Sequence, residues 1–249
     1  MMTDSRSSLA APPLIGEDHA LFLDFDGTLA PLQDDPDTVA LPDEGAPLLL
    51  TLKDQMHGAL ALISGRSAED LTKRTPIALW RIGAHGLDLC PPGAPAPPRH
   101  APFPADLKAR LQTVLEPFEQ VRLEEKGRVA AIHYRQNPTI GPPLFEALET
   151  LVRDLPAYRV QHGKMVIELK PDGANKGAAL RAMCAAPPFA GRVPVMIGDD
   201  TTDEDAMRVA IDLGGFGIKV GDGTTCAPYH LADPDAVWAW IRKVVNEHA

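Results

Sequence analysis

Two carboxylates, separated by one residue, follow an apolar stretch that has the composition of a buried strand. Asp24 and Asp26 come after residues 20–23 and lead into a turn at Gly27 and Thr28. Alternate side chains of a strand share a face, so both carboxylates would point the same way if the strand continued. The glycine lets the backbone bend over a bound anion. A carboxylate can attack phosphorus, and carboxylate oxygens bind Mg²⁺. The pattern therefore predicts phosphoryl transfer at a magnesium site.

A calcium-binding loop or a capped turn is the structural alternative for these carboxylates. A calcium loop spreads acidic or amide ligands over about twelve residues, whereas this pair comes directly after the apolar residues 20–23. The apolar run favours the interpretation in which one carboxylate attacks phosphorus and the other carries a proton.

The segment Asp-Phe-Asp-Gly-Thr at residues 24–28 resembles the Asp-x-Asp-Gly-Thr signature of the haloacid dehalogenase superfamily. That superfamily has three further motifs: a Ser or Thr at a strand end, a lysine, and an acidic cluster after a strand. The chain supplies these motifs in order, as Ser64 after residues 59–63, Lys176 before a helical run, and an acidic cluster at 199–205 after residues 193–197.

Each of these later motifs also has an ordinary structural interpretation. A serine after a strand usually caps a helix, but Ser67 with Asp70 forms the expected helix start, which leaves Ser64 free for phosphate. Lys176 alone would be interpreted as a surface lysine. The acidic cluster around Asp203 would favour the positive end of a helix dipole. Four motifs in the right order and strand context favour the catalytic interpretation.

Composition sets limits on the class of protein. The 249 residues are 45% apolar and carry a formal charge of −10 without a lysine or arginine run, which disfavours nucleic acid and anionic membranes as partners. No apolar run approaches 18 residues, and residues 1–15 lack the apolar region of a signal peptide. We therefore expect a globular cytoplasmic protein. Cys90, Cys184 and Cys226 have no spacing that suggests a disulfide framework or a zinc site.

Strand and helix patterns alternate along most of the chain, which predicts an α/β fold. Strands are expected at 20–24, 59–63, 77–83, 193–197 and 216–220, with helices at 43–53, 178–186 and 237–245. Residues 90–104 are rich in proline and are expected to be a connector.

A second pattern lies between Ser64 and Lys176. Its order is helix, strand, strand, helix, strand, strand, with a turn predicted at Gly127, and the elements are expected at 107–118, 121–126, 128–134, 144–155, 158–161 and 164–170. We therefore divide the chain into a core at 16–103 and 172–249 and an inserted α/β module at 104–171.

One class of haloacid dehalogenase phosphatases carries a cap, an α/β lid, at this point of the chain. Residues 123–127, 132–135 and 163–169, together with 83–86 and the acidic cluster, resemble the trehalose-6-phosphate phosphatases, and the resemblance extends from 21 to 241. It implies a Rossmann-like core with a mostly parallel sheet and a cap. It also implies a Mg²⁺-dependent phosphoric monoester hydrolase that converts trehalose 6-phosphate to trehalose, the last step of trehalose biosynthesis, coupled functionally to a trehalose-6-phosphate synthase.

The resemblance also implies roles for individual residues. Asp24 would be the nucleophile and Asp26 the acid and base, with Ser64 and Lys176 at the phosphate. The expected Mg²⁺ ligands are the Asp24 side chain, the Asp26 backbone carbonyl and Asp199, with Asp200 and Asp203 as further ligands or neighbours. The expected substrate contacts are Gly27, Thr28, Gly65, Arg66, Glu124, Lys126, Arg135, Lys164 and Glu168.

Physical reasoning adds support for a sugar site in the module and leaves alternatives open. Glu124 and Lys126 lie two apart on a predicted strand and share a face, where Glu168 of the other hairpin can join them. A charged hairpin face exposed to solvent is the structural alternative. A lone histidine, such as His85, is more often packed than catalytic. The alternative functions are phosphatases of sucrose phosphate or mannosyl phosphoglycerate, a phosphomutase, and a non-catalytic sensor.

Overall fold

The computed structural model describes residues 10–96, 103–163 and 165–247, apart from the side chain of Lys126. Its strands are β1 (His19–Leu23), β2 (Leu60–Ile63), β3 (Trp80–Gly83), β4 (Asp88–Cys90), β5 (Arg122–Lys126), β6 (Val129–His133), β7 (Tyr158–Gly163), β8 (Val166–Pro171), β9 (Val193–Gly198), β10 (Phe216–Val220) and β11 (Tyr229–Leu231). Its α-helices are α1 (Gly45–Gln55), α2 (Ala68–Arg74), α3 (Ala105–Leu115), α4 (Gly141–Val152), α5 (Lys176–Cys184), α6 (Thr201–Asp212) and α7 (Pro234–Glu247).

Seven strands form the larger sheet, in the order β11-β10-β9-β1-β2-β3-β4. The pairs are parallel except for β4, which runs antiparallel to β3 at one edge. Helices cover both faces: Leu21 and Leu23 belong to an apolar cluster with residues of α1 and α7, whereas Phe22 packs with residues of α5 and α6. A central strand buried on both faces explains why β1 is apolar at every position from Ala20 to Leu23 rather than alternating.

Four strands form a separate antiparallel sheet in the order β5-β6-β8-β7. On one face, Ile132 and Leu169 pack in an apolar cluster with residues of α3 and α4. The opposite face is polar, because Glu124 pairs with Ala131 and Ala131 pairs with Glu168, which places both glutamates in one row across three strands.

The predicted α/β class, with a mostly parallel sheet and a smaller inserted α/β unit, is confirmed. The strand expected at 77–83 begins only at Trp80, because the Leu79 amide closes a turn by donating to the Pro76 carbonyl. Strands β4 and β11 were not predicted, and β4 includes the first residue of the expected connector at 90–104. Residues 97–102 of that connector lie outside the described residues. No helix in the described part of the chain is long and apolar enough to cross a membrane.

Helix α2 begins as the sequence predicts, because Ser67 Oγ accepts a hydrogen bond from the Asp70 amide at 3.2 Å. Ser67→Ala should lower the free energy of unfolding by about 1 kcal/mol, the usual effect of losing a helix cap. Chemical denaturation measures this change. Ser67→Thr keeps a capping hydroxyl and should recover most of the loss, so equal destabilisation by both substitutions would contradict the capping role.

Candidate active site

The carboxyl ends of three neighbouring parallel strands meet at one edge of the larger sheet. Asp24 follows β1, Ser64 follows β2 and Asp199 follows β9, so the topology brings together residues that are distant in sequence. Lys176 opens α5 beside them. These side chains line a cavity of about 870 Å³, which is within the range of small-molecule sites.

Lys176 is buried between two carboxylates. Its Nζ donates to Asp24 Oδ1 at 2.8 Å and to Asp203 Oδ1 at 2.7 Å. Burial and the charge of Asp203 raise the pKa of Asp24 well above its ordinary value, although Lys176 acts in the opposite direction. Burial alone would lower the pKa of Lys176, but Asp203 and Asp24 hold that pKa above its ordinary range. Lys176 is therefore a fixed positive charge beside Asp24.

Asp203 holds several parts of the site together. Its second oxygen, Oδ2, accepts hydrogen bonds from the backbone amides of Asp199 at 3.1 Å and Asp200 at 3.0 Å. Asp200 caps α6 by accepting from the Thr201 amide, and with Asp203 it forms a reciprocal capping box. The acidic cluster thus starts a helix and also contributes charge to the site, so the structural and the catalytic interpretations hold together. Because both oxygens of Asp203 have protein partners, its contacts are those of a positioning residue.

Carboxylate oxygens of Asp24, Asp199 and Asp203 approach within 4.8 Å of one another. Burial and the charges of Asp203 and Asp200 raise the pKa of Asp199 to about 7. Gly27, with φ +78, makes room for this group, since a Cβ there would lie 2.2 Å from Asp199 Oδ2. The raised pKa values of Asp24 and Asp199 reflect burial and repulsion between closely spaced carboxylates, and the hard oxygen donors of these groups suit a divalent cation such as Mg²⁺. The cluster can bind a metal ion.

Lys219 is a residue at the edge of the acidic cluster that the sequence analysis did not identify. It is buried, and its Nζ donates to the backbone carbonyl of Asp199 at 2.7 Å. A lysine within the otherwise apolar strand β10 was the available signal, because lysine is rarely buried without a specific partner.

Asp26 departs from the alternating pattern, because β1 ends at Leu23 and Asp26 belongs to the turn. Arg66 binds its carboxylate at two points: Nε donates to Oδ2 at 2.7 Å and Nη2 donates to Oδ1 at 2.6 Å. Arg66 also donates to Asp70 at 2.6 Å and to the Pro36 carbonyl at 2.9 Å. The guanidinium of Arg66, which was expected to contact substrate, therefore lies on Asp26, and this bidentate pairing fixes the orientation of the carboxylate.

The polar face of the antiparallel sheet forms the opposite side of the cavity. Glu124 and Glu168 both line it, and each contacts a histidine: His133 Nε2 lies 2.8 Å from Glu124 Oε2, and His85 Nε2 lies 3.0 Å from Glu168 Oε2. Arg135 also lines the cavity, but its side chain is 64% exposed.

Some of the remaining residues that were expected to contact substrate line the cavity, and others do not. Gly65 lines the cavity beside Ser64. Thr28 is fully buried, and neither it nor Gly27 is among the lining residues. The side chain of Lys126 and the whole of Lys164 lie outside the described residues.

This sheet topology, with an aspartate after the first strand and a separate antiparallel sheet, defines a haloacid dehalogenase-like fold. A solved haloacid dehalogenase-like hydrolase from B. subtilis superposes with a TM-score of 0.63 at 14% identity, over 90% of this chain and 99% of that chain. At this identity the likeness concerns the fold alone.

The chain belongs to the trehalose-phosphatase family, whose sequence model matches residues 22–235. The trehalose-6-phosphate phosphatase of Escherichia coli K12 is 38% identical over 244 residues, which cover 96% of this chain and 91% of that protein. The C-terminal domain of C. albicans trehalose-6-phosphate phosphatase has a similar fold, with a TM-score of 0.82 at 22% identity over 92% of this chain and 93% of that one. The chain is accordingly a phosphoric monoester hydrolase.

The close contact between Gly27 and Asp199 predicts an effect of adding one methyl group. Gly27→Ala should displace Asp199 and lower activity at least about 100-fold, because shifts near 1 Å have effects of that size. Gly191→Ala is the matched control: Gly191 also has φ +78 but nothing within 4 Å, so it should lose about 1 kcal/mol of stability and keep its activity. Steady-state phosphate release measures both variants. Equal activity losses would contradict the role of the contact.

The contacts of Arg66 predict which kinetic constant changes when its side chain is removed. Arg66→Ala frees the Asp26 carboxylate, so kcat should fall by about 10- to 100-fold, part of the 10²–10⁴-fold that an acid-base group contributes. KM should change little if Arg66 acts through Asp26, with which it is paired at two points. A rise in KM at constant kcat would instead support the substrate contact expected from sequence. Steady-state kinetics distinguishes these outcomes.

Proposed function

We propose that this enzyme hydrolyses trehalose 6-phosphate to trehalose and inorganic phosphate, the last step of trehalose biosynthesis. The observation that carries the proposal is one cavity with the buried Asp24–Lys176 pair on one side and Glu124 and Glu168 on the other. The E. coli relative is named for the same activity. A trehalose-6-phosphate synthase must supply this substrate, which implies functional coupling between the two enzymes.

The reaction proceeds in two transfers through the paired aspartates. Asp24 attacks phosphorus in line, the bond to the sugar O6 breaks, and Asp26 gives its proton to O6, leaving an aspartyl-phosphate and free trehalose. Asp26 then takes a proton from water, whose oxygen attacks phosphorus, and the bond to Asp24 breaks to release phosphate. Asp26 returns to its protonated form for the next cycle.

Arg66 and Lys176 act at different points of this scheme. Arg66 holds both oxygens of the Asp26 side chain by hydrogen bonds, which keeps this group in place for the two proton transfers. Lys176, already fixed beside Asp24, stabilises the charge that spreads over the phosphoryl oxygens in the transition state. Ser64 lies at the same end of the cavity and donates to the phosphate.

The metal site fits Mg²⁺, held by the side chains of Asp24 and Asp199 and the backbone carbonyl of Asp26. The fit rests on the closely spaced carboxylates of Asp24, Asp199 and Asp203 and on the space that Gly27 leaves beside Asp199; the Asp26 carbonyl is added by family resemblance. When bound, Mg²⁺ supplies positive charge to the phosphoryl oxygens and to the carboxylates. Asp203 and Asp200 are assigned to positioning, because their carboxylates are engaged by Lys176 and by backbone amides.

Residues 104–171 are assigned as a cap that selects the sugar, with the core formed by 16–103 and 172–249. The polar face of the cap sheet supplies Glu124 and Glu168, which accept hydrogen bonds from hydroxyls of the glucose unit that carries no phosphate. Lys126, Arg135 and Lys164 are assigned to the same region by family resemblance. Chemistry thus belongs to the core, and substrate choice belongs to the cap.

Phosphate release from a panel of esters tests the proposed function. The panel contains trehalose 6-phosphate, sucrose 6-phosphate, mannosyl phosphoglycerate and glucose 6-phosphate, each assayed with Mg²⁺ and after chelation. We expect the highest kcat/KM with trehalose 6-phosphate, loss of activity on chelation and recovery when Mg²⁺ is returned. Faster turnover of another ester, or activity that survives chelation, would contradict the proposal.

Glu124 provides a separate test of the cap assignment. Glu124→Ala should lower kcat/KM for trehalose 6-phosphate by about 10- to 100-fold, the range expected for losing hydrogen bonds to a charged group. Glu149→Ala removes an exposed carboxylate from α4 and should leave the kinetics unchanged. Unaltered kinetics in both variants would show that the polar face of the cap does not bind the sugar.

A further inference from the structure

A histidine of the core contacts one of the two glutamates of the cap sheet. His85, in the short helical turn Ala84–Gly86 after β3, places Nε2 at 3.2 Å from Oε1 and 3.0 Å from Oε2 of Glu168 in β8. The side chains are 5% and 12% exposed, so little water competes for the contact. Both residues line the cavity. The contact therefore joins the core to the sugar-binding face of the cap.

The position of His85 is set by the segment that contains Ser64. The His85 amide donates to the Ser64 carbonyl at 3.0 Å, and the imidazole packs directly over Gly65, where a Cβ would lie 2.8 Å from the ring atom Cε1. Ala84 and His85 have φ values of 48 and 55, a left-handed conformation that is uncommon for alanine and tolerated better by histidine. Strained backbone of this kind concentrates at functional sites.

The chemistry of the ring favours one arrangement of its proton. Burial lowers the pKa of His85, although Glu168 acts in the opposite direction, so the imidazole is neutral near pH 7. A neutral imidazole that faces a carboxylate donates through the nitrogen that lies closest, here Nε2. Nδ1 is buried and has no hydrogen-bond partner among the residues that the structure describes. The contact with Glu168 is thus the interaction that orients the ring.

We propose that His85 is a positioning residue that fixes the direction of Glu168 and thereby makes the enzyme selective for phosphate esters whose second sugar reaches the cap. The proposal rests on the proposed function, because it assumes that Glu168 binds the distal glucose. The hydrogen bond from His85 limits the directions in which the Glu168 carboxylate can turn, so the carboxylate meets a sugar hydroxyl in a defined orientation. A monosaccharide or aryl phosphate has no second sugar to place against this carboxylate.

Two substitutions separate the hydrogen bond from the rest of the side chain. His85→Gln carries an amide NH₂ at about the distance of imidazole Nε2 and can still donate to Glu168. His85→Asn is shorter and cannot reach Glu168, yet asparagine tolerates left-handed backbone better than most residues. Loss of selectivity in the Asn variant is then due to the missing donor and not to the backbone. Thermal unfolding of each variant checks that it is folded.

The informative quantity is the ratio of kcat/KM for trehalose 6-phosphate to kcat/KM for p-nitrophenyl phosphate, which has no second sugar. We expect this ratio to fall at least about tenfold in His85→Asn and to stay within about threefold of wild type in His85→Gln, in proportion to one charge-assisted hydrogen bond. In a Glu168→Ala background, His85→Asn should cause no further fall, because coupled residues are non-additive.

Three outcomes would overturn the role of His85: an unchanged ratio in His85→Asn, an equal loss with both esters, or effects that add to those of Glu168→Ala. An equal loss would instead identify His85 as a residue of the phosphoryl-transfer machinery. A wild-type enzyme without preference for trehalose 6-phosphate over the ester panel would overturn the proposed function itself. A selective wild type whose ratio survives His85→Asn would overturn the His85 proposal alone.

Discussion

The buried ammonium of Lys176 between Asp24 and Asp203 is the interaction on which the site depends. It ties the start of α5 to the end of β1 and to the first turn of α6, with nitrogen-to-oxygen distances of 2.8 and 2.7 Å. Removing one partner of such a buried pair leaves an uncompensated charge, which is strongly destabilising. The same cluster includes Asp199, and its closely spaced carboxylate oxygens could bind a divalent cation.

Two further contacts link this centre to the rest of the reaction. Arg66 fixes Asp26 beside Asp24, and His85 connects the segment of Ser64 to Glu168 in the antiparallel sheet. Both contacts begin in loops that follow β2 and β3, at the carboxyl edge of the parallel sheet, where α/β folds place their ligand sites. One edge of the parallel sheet therefore positions both Asp26, the proposed acid-base group, and Glu168, the proposed sugar-binding carboxylate.

The sequence predicted most of the fold because its signals were local. Apolar runs before Asp24, Ser64 and Asp199 predicted strands of the core, and alternation around Gly127 predicted a hairpin that is present as β5 and β6. The short edge strands β4 and β11 were missed, because three residues have too little pattern of their own and their pairing depends on the neighbouring strand. The roles assigned to individual site residues remain predictions, since only their positions are described by the geometry. The pairing of Arg66 with Asp26 could not be predicted, because nothing in the sequence specifies which carboxylate a given arginine contacts after folding.

The central claim is that Asp24 carries the phosphoryl group during turnover. The direct measurement is to quench the enzyme during turnover of trehalose 6-phosphate with Mg²⁺, reduce acyl phosphates with borohydride, and sequence the resulting peptides by mass spectrometry. Asp24 and Asp26 lie on the same short segment, so fragmentation assigns the modified residue. We expect conversion of Asp24, and not Asp26, to homoserine. Conversion of Asp26, or phosphate release in the first turnover without any converted residue, would contradict it.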